Sequence, residues 1–430
     1  MTFEDQWAAR HAGLDWRFKA LPAIDDTVAL DAVGAQGWSI LREDVMLPAA
    51  VLRTEALRHN SHWMRRFTDL VGARIAPHGK TTMSPALFDL QLADGAWGVT
   101  AATPAHVRIY RQHGVRRILL ANQLIGRQGV AYIASELARD PDFDFYCLVD
   151  SMAAVDALDA ALQACPPGRP IQLLVELGIA GGRSGARDDA TAIEVARAVS
   201  ASPRLSLRGV EAFEGILQGQ GVAGEPGMRN VLDRMMVVAT ACTAENLFDG
   251  VPILSAGGSS FFDVVAKTFG AAAPSSHEVL LRSGCYLVHD SGYYAKLVER
   301  LMARSPEAAS LGEGLRPALE VWAYVHSRPE PGRAIAGLGR RDISDDTRMP
   351  TPLLFARPGD TQPSALGPGH STVRLDDQHA YLDIPEDSPL QVGDLVAFGI
   401  SHPCTTFDRW PALYLVDEAR TITGAIRTFF

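Results

Sequence analysis

Cysteine is scarce and unpaired in this sequence: Cys147, Cys165, Cys242, Cys285 and Cys404 are odd in number and scattered. No C-x-x-C spacing occurs among them, so a disulfide framework is not expected. Free thiols in a reducing cytoplasm suit the pattern better. Long apolar runs are also missing; none approaches the roughly 20 residues needed to span a bilayer. The opening Met1-Thr2-Phe3-Glu4-Asp5 is acidic and lacks the charged-then-apolar pattern of a secretory leader. No basic block offsets the formal charge of −10, which argues against nucleic acid or an anionic membrane as partner. Internal repeats and low-complexity tracts are absent as well. These absences leave a soluble, cytoplasmic globular protein, and 430 residues suffice for two domains with at least one large core.

What is present is an alternation. Residues 1–45 show no clear period, with 41–46 expected to enter a strand. Val51, Leu52, Leu57, Met64 and Phe67 recur at helical spacing, which predicts one amphipathic helix over 48–70. Short apolar runs follow at 73–76, 97–101, 118–121, 143–149, 171–177, 205–213, 251–255 and 279–281. Helical stretches lie between them, near 84–93, 104–113, 127–139, 151–163, 188–201, 228–246 and 260–269. Eight strands with helical crossovers over roughly 215 residues are the count and size of a (β/α)8 TIM-type barrel. An open doubly wound sheet shares the alternation and stays as the alternative. Past about residue 305, proline and glycine punctuate short β-branched and aromatic runs, which predicts a mainly antiparallel β domain. The expected division is an N-terminal segment 1–45 packing on the β domain, a barrel over 46–310, and a β domain over 311–430.

Four constellations carry chemistry. Lys80, in Pro77-His78-Gly79-Lys80-Thr81, follows the first barrel strand and so faces the mouth where βα-loops build active sites. With a phosphate cradle in the same mouth, its amine is placed to form an imine with pyridoxal 5'-phosphate. Ser255-Ala256-Gly257-Gly258-Ser259-Ser260 is a candidate cradle, because glycine amides at a helix start offer N–H donors to an anion. The eighth unit adds Arg282, Gly284 and Cys285. A plain turn with a helix cap is the competing reading of the glycine loop. In Ser401-His402-Pro403-Cys404, an extended backbone would point His402 and Cys404 to one side. Imidazole and thiolate are good zinc ligands, and no further pair completes a closed site, so an open divalent site is implied. A packed cysteine beside a surface histidine competes. Arg183, in Gly181-Gly182-Arg183-Ser184-Gly185, is a candidate contact for a cofactor ring or a substrate carboxylate, and a surface arginine is its alternative. His78 either lies under the cofactor or caps the strand end. Arg340-Arg341-Asp342-Ile343-Ser344 reads as a solvated loop, with reach toward a neighbouring active site as the alternative.

In this order, the lysine motif, Gly-Arg-Ser-Gly, the Ser-Ala-Gly-Gly-Ser-Ser loop and His402-Pro403-Cys404-Thr405 resemble one family. It is the D-serine dehydratase-like and D-threonine aldolase family, within the alanine racemase-type (fold type III) pyridoxal phosphate enzymes. The likeness runs from about residue 45 to the end. It implies a pyridoxal phosphate barrel followed by a β domain, in a homodimer. It also implies that Lys80 is the Schiff-base lysine and that His402 and Cys404 hold zinc or another divalent ion. Ser255, Gly257, Gly258, Ser259, Gly284 and Cys285 would serve the phosphate, with Arg183 and Arg282 near the cofactor ring. One departure stands out: where many relatives carry tyrosine and histidine after the sixth strand, this chain has Glu211-Ala212-Phe213-Glu214-Gly215. The implied reaction is β-elimination from D-serine or a related D-3-hydroxy amino acid. A D-threonine aldolase, a racemase and a non-catalytic pyridoxal phosphate carrier are the alternatives. His402-Pro403-Cys404 counts against the racemase, and the long β domain counts against the carrier.

Overall fold

The computed structural model describes residues 13–213, 215, 225–270 and 276–430. Glu214 and residues 1–12 lie outside the described residues.

Ala49-Ala50-Val51-Leu52 offers no polar residue on either side, which suits a strand buried on both faces. It forms β1 (Ala49–Arg53), whose first four residues are buried. The helix expected over 48–70 therefore starts only at Thr54 and runs to Val71. No strand forms at 41–46, where the chain turns.

Eight parallel strands follow. The first four are β2 (Arg74–Ile75), β3 (Val99–Ala101), β4 (Arg117–Gln123) and β5 (Asp144–Val149). The rest are β6 (Ile171–Leu177), β7 (Leu205–Ala212), β8 (Ile253–Ser255) and β9 (Glu278–Leu281). Their order is β2-β9-β8-β7-β6-β5-β4-β3. The Trp97 N–H donates to the Ile75 carbonyl at 2.8 Å and the Thr100 N–H to the Pro77 carbonyl at 2.9 Å. Those two bonds bring β3 back to β2, so the sheet curls round and meets itself.

The crossover helices start where the sequence provides caps. Thr103, Ser151 and Asp188 each accept a backbone N–H from the first turn that follows, worth about 1 kcal/mol apiece. Helix Thr54–Val71 seals the barrel wall with aromatics. Trp63 stacks on Phe67 at 5.4 Å, and both rings meet Phe262 edge-on.

The second sheet is mainly antiparallel. It comprises β10 (Leu319–Glu330), β11 (Arg333–Ala336), β12 (Thr351–Ala356), β13 (Ser364–Ala365) and β14 (Ser371–Leu375). It continues through β15 (Ala380–Asp383), β16 (Leu395–Gly399), β17 (Ala412–Val416) and β18 (Ile422–Arg427). β1 sits in its middle, antiparallel to β10 and parallel to β17. Part of the leading segment also reaches this sheet: the Ile422 N–H donates to the Trp38 carbonyl at 2.7 Å, and the Ile40 N–H to the Arg420 carbonyl at 3.1 Å.

Two backbone bonds set the sheet against the barrel mouth. The Ser291 N–H donates to the Ile400 carbonyl at 3.0 Å, and the Phe429 N–H to the Met83 carbonyl at 3.0 Å. Ile400 leads directly into His402 and Cys404, and Met83 follows the Lys80 turn. The fold thereby carries the end of β16 onto the lysine motif. Among the described residues, no helix is long and apolar enough to cross a membrane.

Candidate active site

Pro77 has no N–H to continue a ladder, and beyond it Gly79–Thr81 makes one turn of 3-10 helix. Lys80 is exposed on that turn and lines a cavity of about 420 Å³ with His78, Asn122, Arg183, Phe213 and Arg282. Three cationic side chains and no carboxylate line it among the described residues, so the cavity favours an anionic occupant. Burial, then the charges of Lys80 and Arg282, hold the His78 imidazole well below its ordinary range, and it is neutral at pH 7. Arg183 lies over the Phe213 ring at 4.6 Å. Arg282 pairs with the buried carboxylate of Glu211 and donates to the Ala212 carbonyl at 2.9 Å. A larger groove of about 810 Å³, between helices Arg127–Arg139 and Met152–Ala164, contains none of the expected site residues.

The glycine loops are built for close approach. Gly257 has φ +87°, and a Cβ on it would stand 2.8 Å from Leu281 Cδ2 and 3.2 Å from the Phe262 backbone. A Cβ on Gly284 would stand 2.6 Å from the His78 carbonyl and 2.8 Å from Thr81 Oγ1. The loop after β9 thus packs directly on the lysine turn. The Ser283 hydroxyl donates to the carbonyls of Gly257 (3.2 Å) and Gly258 (2.8 Å), tying the two glycine loops together. Such a cradle of small residues ahead of helix Phe262–Gly270 fits a phosphate. Ser259 lies against the Cys285 thiol. The structure turns Ser255 elsewhere: its hydroxyl is fully buried and donates to the Leu280 carbonyl at 3.1 Å, bracing β8 to β9.

His402 and Cys404 do come together, though not on an extended segment. Pro403 has φ −64° and ψ −40°, and Cys404–Phe407 is one helical turn. Proline's fixed φ suits a helix start, which overrides the alternation expected of a strand. The Cys404 sulfur stands 3.8 Å from the Cys285 sulfur and 3.5 Å from Thr81 Oγ1. Hydrogen bonding to Cys285, then to His402, holds the Cys404 thiol well below its ordinary range. Cys285 is pushed the other way by the same bond and by burial, so it keeps its proton. The Cys404 bond, and behind it Asp346, raises His402 to about 9. Asp346 Oδ2 lies 2.7 Å from His402 Nδ1. A carboxylate on Nδ1 leaves Nε2 as the nitrogen for a metal. No group of three or more His, Cys, Asp or Glu placed for a metal occurs among the described residues. The donors therefore fit an open site with two protein ligands.

Residues 340–344 are not the solvated loop their charge suggests. Arg340 and Arg341 are exposed, but Asp342, Ile343 and Ser344 are buried. The Ser344 hydroxyl donates to the His402 carbonyl at 3.0 Å, Trp410 Nε1 donates to the Asp342 carbonyl at 2.7 Å, and Lys19 pairs with the Asp342 carboxylate at 2.9 Å. This strap holds the His402 turn. Neither it nor Asp346 was legible in sequence, since their partners lie some 60 residues away. Asn122 in the cavity was missed too, for it belongs to no motif.

Next to Cys285, His289 and Asp290 are buried. Burial lowers His289 from 6.5 to about 4 and raises Asp290 from 3.8 to about 6. A depressed histidine contributes stability above pH 6.5 that is lost as pH falls to about 4, roughly 3 kcal/mol. A raised aspartate has the opposite sign: its contribution grows, by a similar roughly 3 kcal/mol, as pH falls from about 6 to 3.8. The two offset. His289→Asn suits the backbone φ of +55° and removes only the first. Its urea midpoint, relative to wild type, is expected to climb by the equivalent of about 3 kcal/mol between pH 6.5 and pH 4. Parallel profiles would refute this assignment.

A curled parallel sheet with a lysine at its mouth, joined to a mainly antiparallel sheet, is the alanine racemase-like architecture of fold type III pyridoxal phosphate enzymes. Two family descriptions match the chain: "Alanine racemase, N-terminal domain" over residues 52–262 and "Putative serine dehydratase domain" over residues 318–416. The chain thus carries an alanine racemase-type N-terminal domain followed by a D-serine dehydratase-like domain, and its relatives include a D-threonine aldolase. It is 25% identical to the D-threonine aldolase of Arthrobacter sp. over 391 residues, covering 91% of this chain and 94% of that one. The D-threonine aldolase structure from Filomicrobium marinum superposes with a TM-score of 0.73 at 22% identity, over 91% of this chain and 97% of that one. A D-threo-3-hydroxyaspartate dehydratase variant in its metal-free form superposes with a TM-score of 0.71 at 21% identity, over 91% and 99%.

Proposed function

We propose that this protein is a pyridoxal phosphate- and divalent metal-dependent lyase. It removes the β-hydroxyl of D-serine or a related D-3-hydroxy amino acid as water. The resulting enamine is hydrolysed to a 2-oxo acid and ammonia. One observation supports this reading above the others: Cys404 reaches Thr81, the residue after Lys80, at 3.5 Å. That contact sets the Cys404 turn against the Lys80 turn, which supports one site served by both.

When bound, pyridoxal phosphate supplies the electron sink that lets the Cα proton leave. Lys80 holds the cofactor through its amine and, once displaced by substrate, takes that proton. Gly257, Gly258, Ser259, Gly284 and the Cys285 backbone hold the phosphate, and Arg183 and Arg282 balance negative charge. His402 and Cys404 hold the metal, with zinc favoured by a sulfur–nitrogen donor pair. Its Lewis acidity offsets the charge on a poor leaving group.

Whole-length likeness to a D-threonine aldolase favours a second reading, Cα–Cβ cleavage to glycine and an aldehyde. Incubation with D-serine, D-threonine and 3-hydroxy-D-aspartate, with and without chelator, separates the two. The dehydratase reading expects 2-oxobutyrate and ammonia from D-threonine. Glycine and acetaldehyde would replace it with the aldolase reading, and bound cofactor without any turnover with the carrier.

A further inference from the structure

We propose that Glu211 is a positioning residue of the cofactor pocket, fixing Arg282 at the cavity wall and cancelling one of the two positive charges that share the cavity with Lys80. The inference rests on the reading that Lys80 bonds pyridoxal phosphate, and it concerns Glu211, to which the family resemblance assigns no role. Glu211 pairs in register with Ser255 of β8, and Ser255 with Leu280 of β9. Arg282 stands two residues beyond Leu280, at the mouth. Its guanidinium returns across β8 to the Glu211 carboxylate and to the Ala212 carbonyl. Both side chains are almost wholly buried, Glu211 at 1% and Arg282 at 6% exposure. A buried carboxylate is stable only beside a partner, and this one is spent on a cavity-lining arginine.

The electrostatic consequence is specific. Lys80, Arg183 and Arg282 all line the cavity. Without Glu211 the full charge of Arg282 would act on the Lys80–cofactor bond, whose protonated form is itself cationic. One unit charge acting over about 10 Å at an effective dielectric near 20 shifts a titration by about one pH unit. Glu211→Gln removes a negative charge, disfavours the protonated bond and moves its midpoint down. Arg282→Gln strands Glu211 without its partner, so the buried carboxylate takes up a proton and the pair again contributes no net charge. The double variant restores the net charge, and Glu211→Asp keeps it.

The experiment is a spectrophotometric pH titration of the cofactor absorbance band in each holoprotein, without substrate. Borohydride trapping first confirms which lysine carries the cofactor in the wild type. Glu211→Gln is expected about one unit low and Arg282→Gln within a few tenths of the wild type. The double variant and Glu211→Asp should lie within a few tenths of the wild type. Coincident midpoints in all five proteins would overturn the role of Glu211 while leaving the Lys80 reading intact. A wild type trapped on another lysine would bring down both. Should Glu211→Gln fail to fold, Glu211→Ala, which also removes the carboxylate, decides the matter by the same downward shift.

Discussion

Lys80→Ala is expected to lose the cofactor's visible absorbance band and to lower turnover on the order of 10⁴-fold or more. The sequence has four lysines, Lys19, Lys80, Lys267 and Lys296, and only Lys80 lines the cavity. Lys19 is held by Asp342 and lies over the Trp410 ring. Lys267 and Lys296 sit on helices Phe262–Gly270 and Tyr293–Arg304. The arginines of the cavity stay protonated and cannot substitute as nucleophiles. The cradle around Gly257 and Gly284 is untouched by the change, so the variant should still take up the cofactor, noncovalently and with the spectrum of a free aldehyde. Borohydride treatment followed by peptide mapping should label Lys80 in the wild type and no lysine in the variant. A visible band that survives in Lys80→Ala would remove the premise on which the chemistry stands.

The barrel was legible because its strands are buried on both faces. Val175 and its neighbours in β6 read as one apolar run, and Thr103, Ser151 and Asp188 mark where helices begin. β1 was hidden for the same reason. Its unbroken apolar run joins the apolar positions of the helix behind it, and nothing local tells a strand of the distant sheet from a first helical turn. At the site, Lys80 and the two glycine loops were legible because each needs only its own neighbours. Residues whose meaning comes from a remote partner were not. Asp342 looks solvated in sequence, and Lys19, Gln378 and the Gly339 N–H on its carboxylate make its burial tolerable. Glu211 appeared simply as a departure from relatives until Arg282, 71 positions later, was seen to meet it. The 402–404 segment shows the opposite error: local alternation suggested a strand, and Pro403 set a helical turn instead.

Removing the metal ligands should produce the second large effect. His402→Ala and Cys404→Ser are each expected to lower elimination from D-serine by about 10²–10³-fold, the several kcal/mol that a Lewis acid contributes to a departing hydroxide. Both variants should keep the cofactor band, because the phosphate cradle and Lys80 stand on the barrel while His402 and Cys404 follow β16 of the other sheet. That split between chemistry and cofactor binding is what a merely structural role would not produce. Asp346→Asn tests the support behind the ligand. Its carboxylate fixes His402 through Nδ1 at 2.7 Å, and losing such a partner weakens metal affinity about 10–100-fold. Metal content after dialysis should therefore fall in the order wild type, Asp346→Asn, Cys404→Ser. Activity at saturating zinc should recover in Asp346→Asn and stay low in Cys404→Ser. Full activity in a wild type stripped of metal by chelation, with metal content verified as nil, would leave His402 and Cys404 as a structural pair. The hydroxide would then need a protonated group of the protein to leave, and the neutral imidazole of His78, though beside Lys80 in the cavity, could not supply that proton.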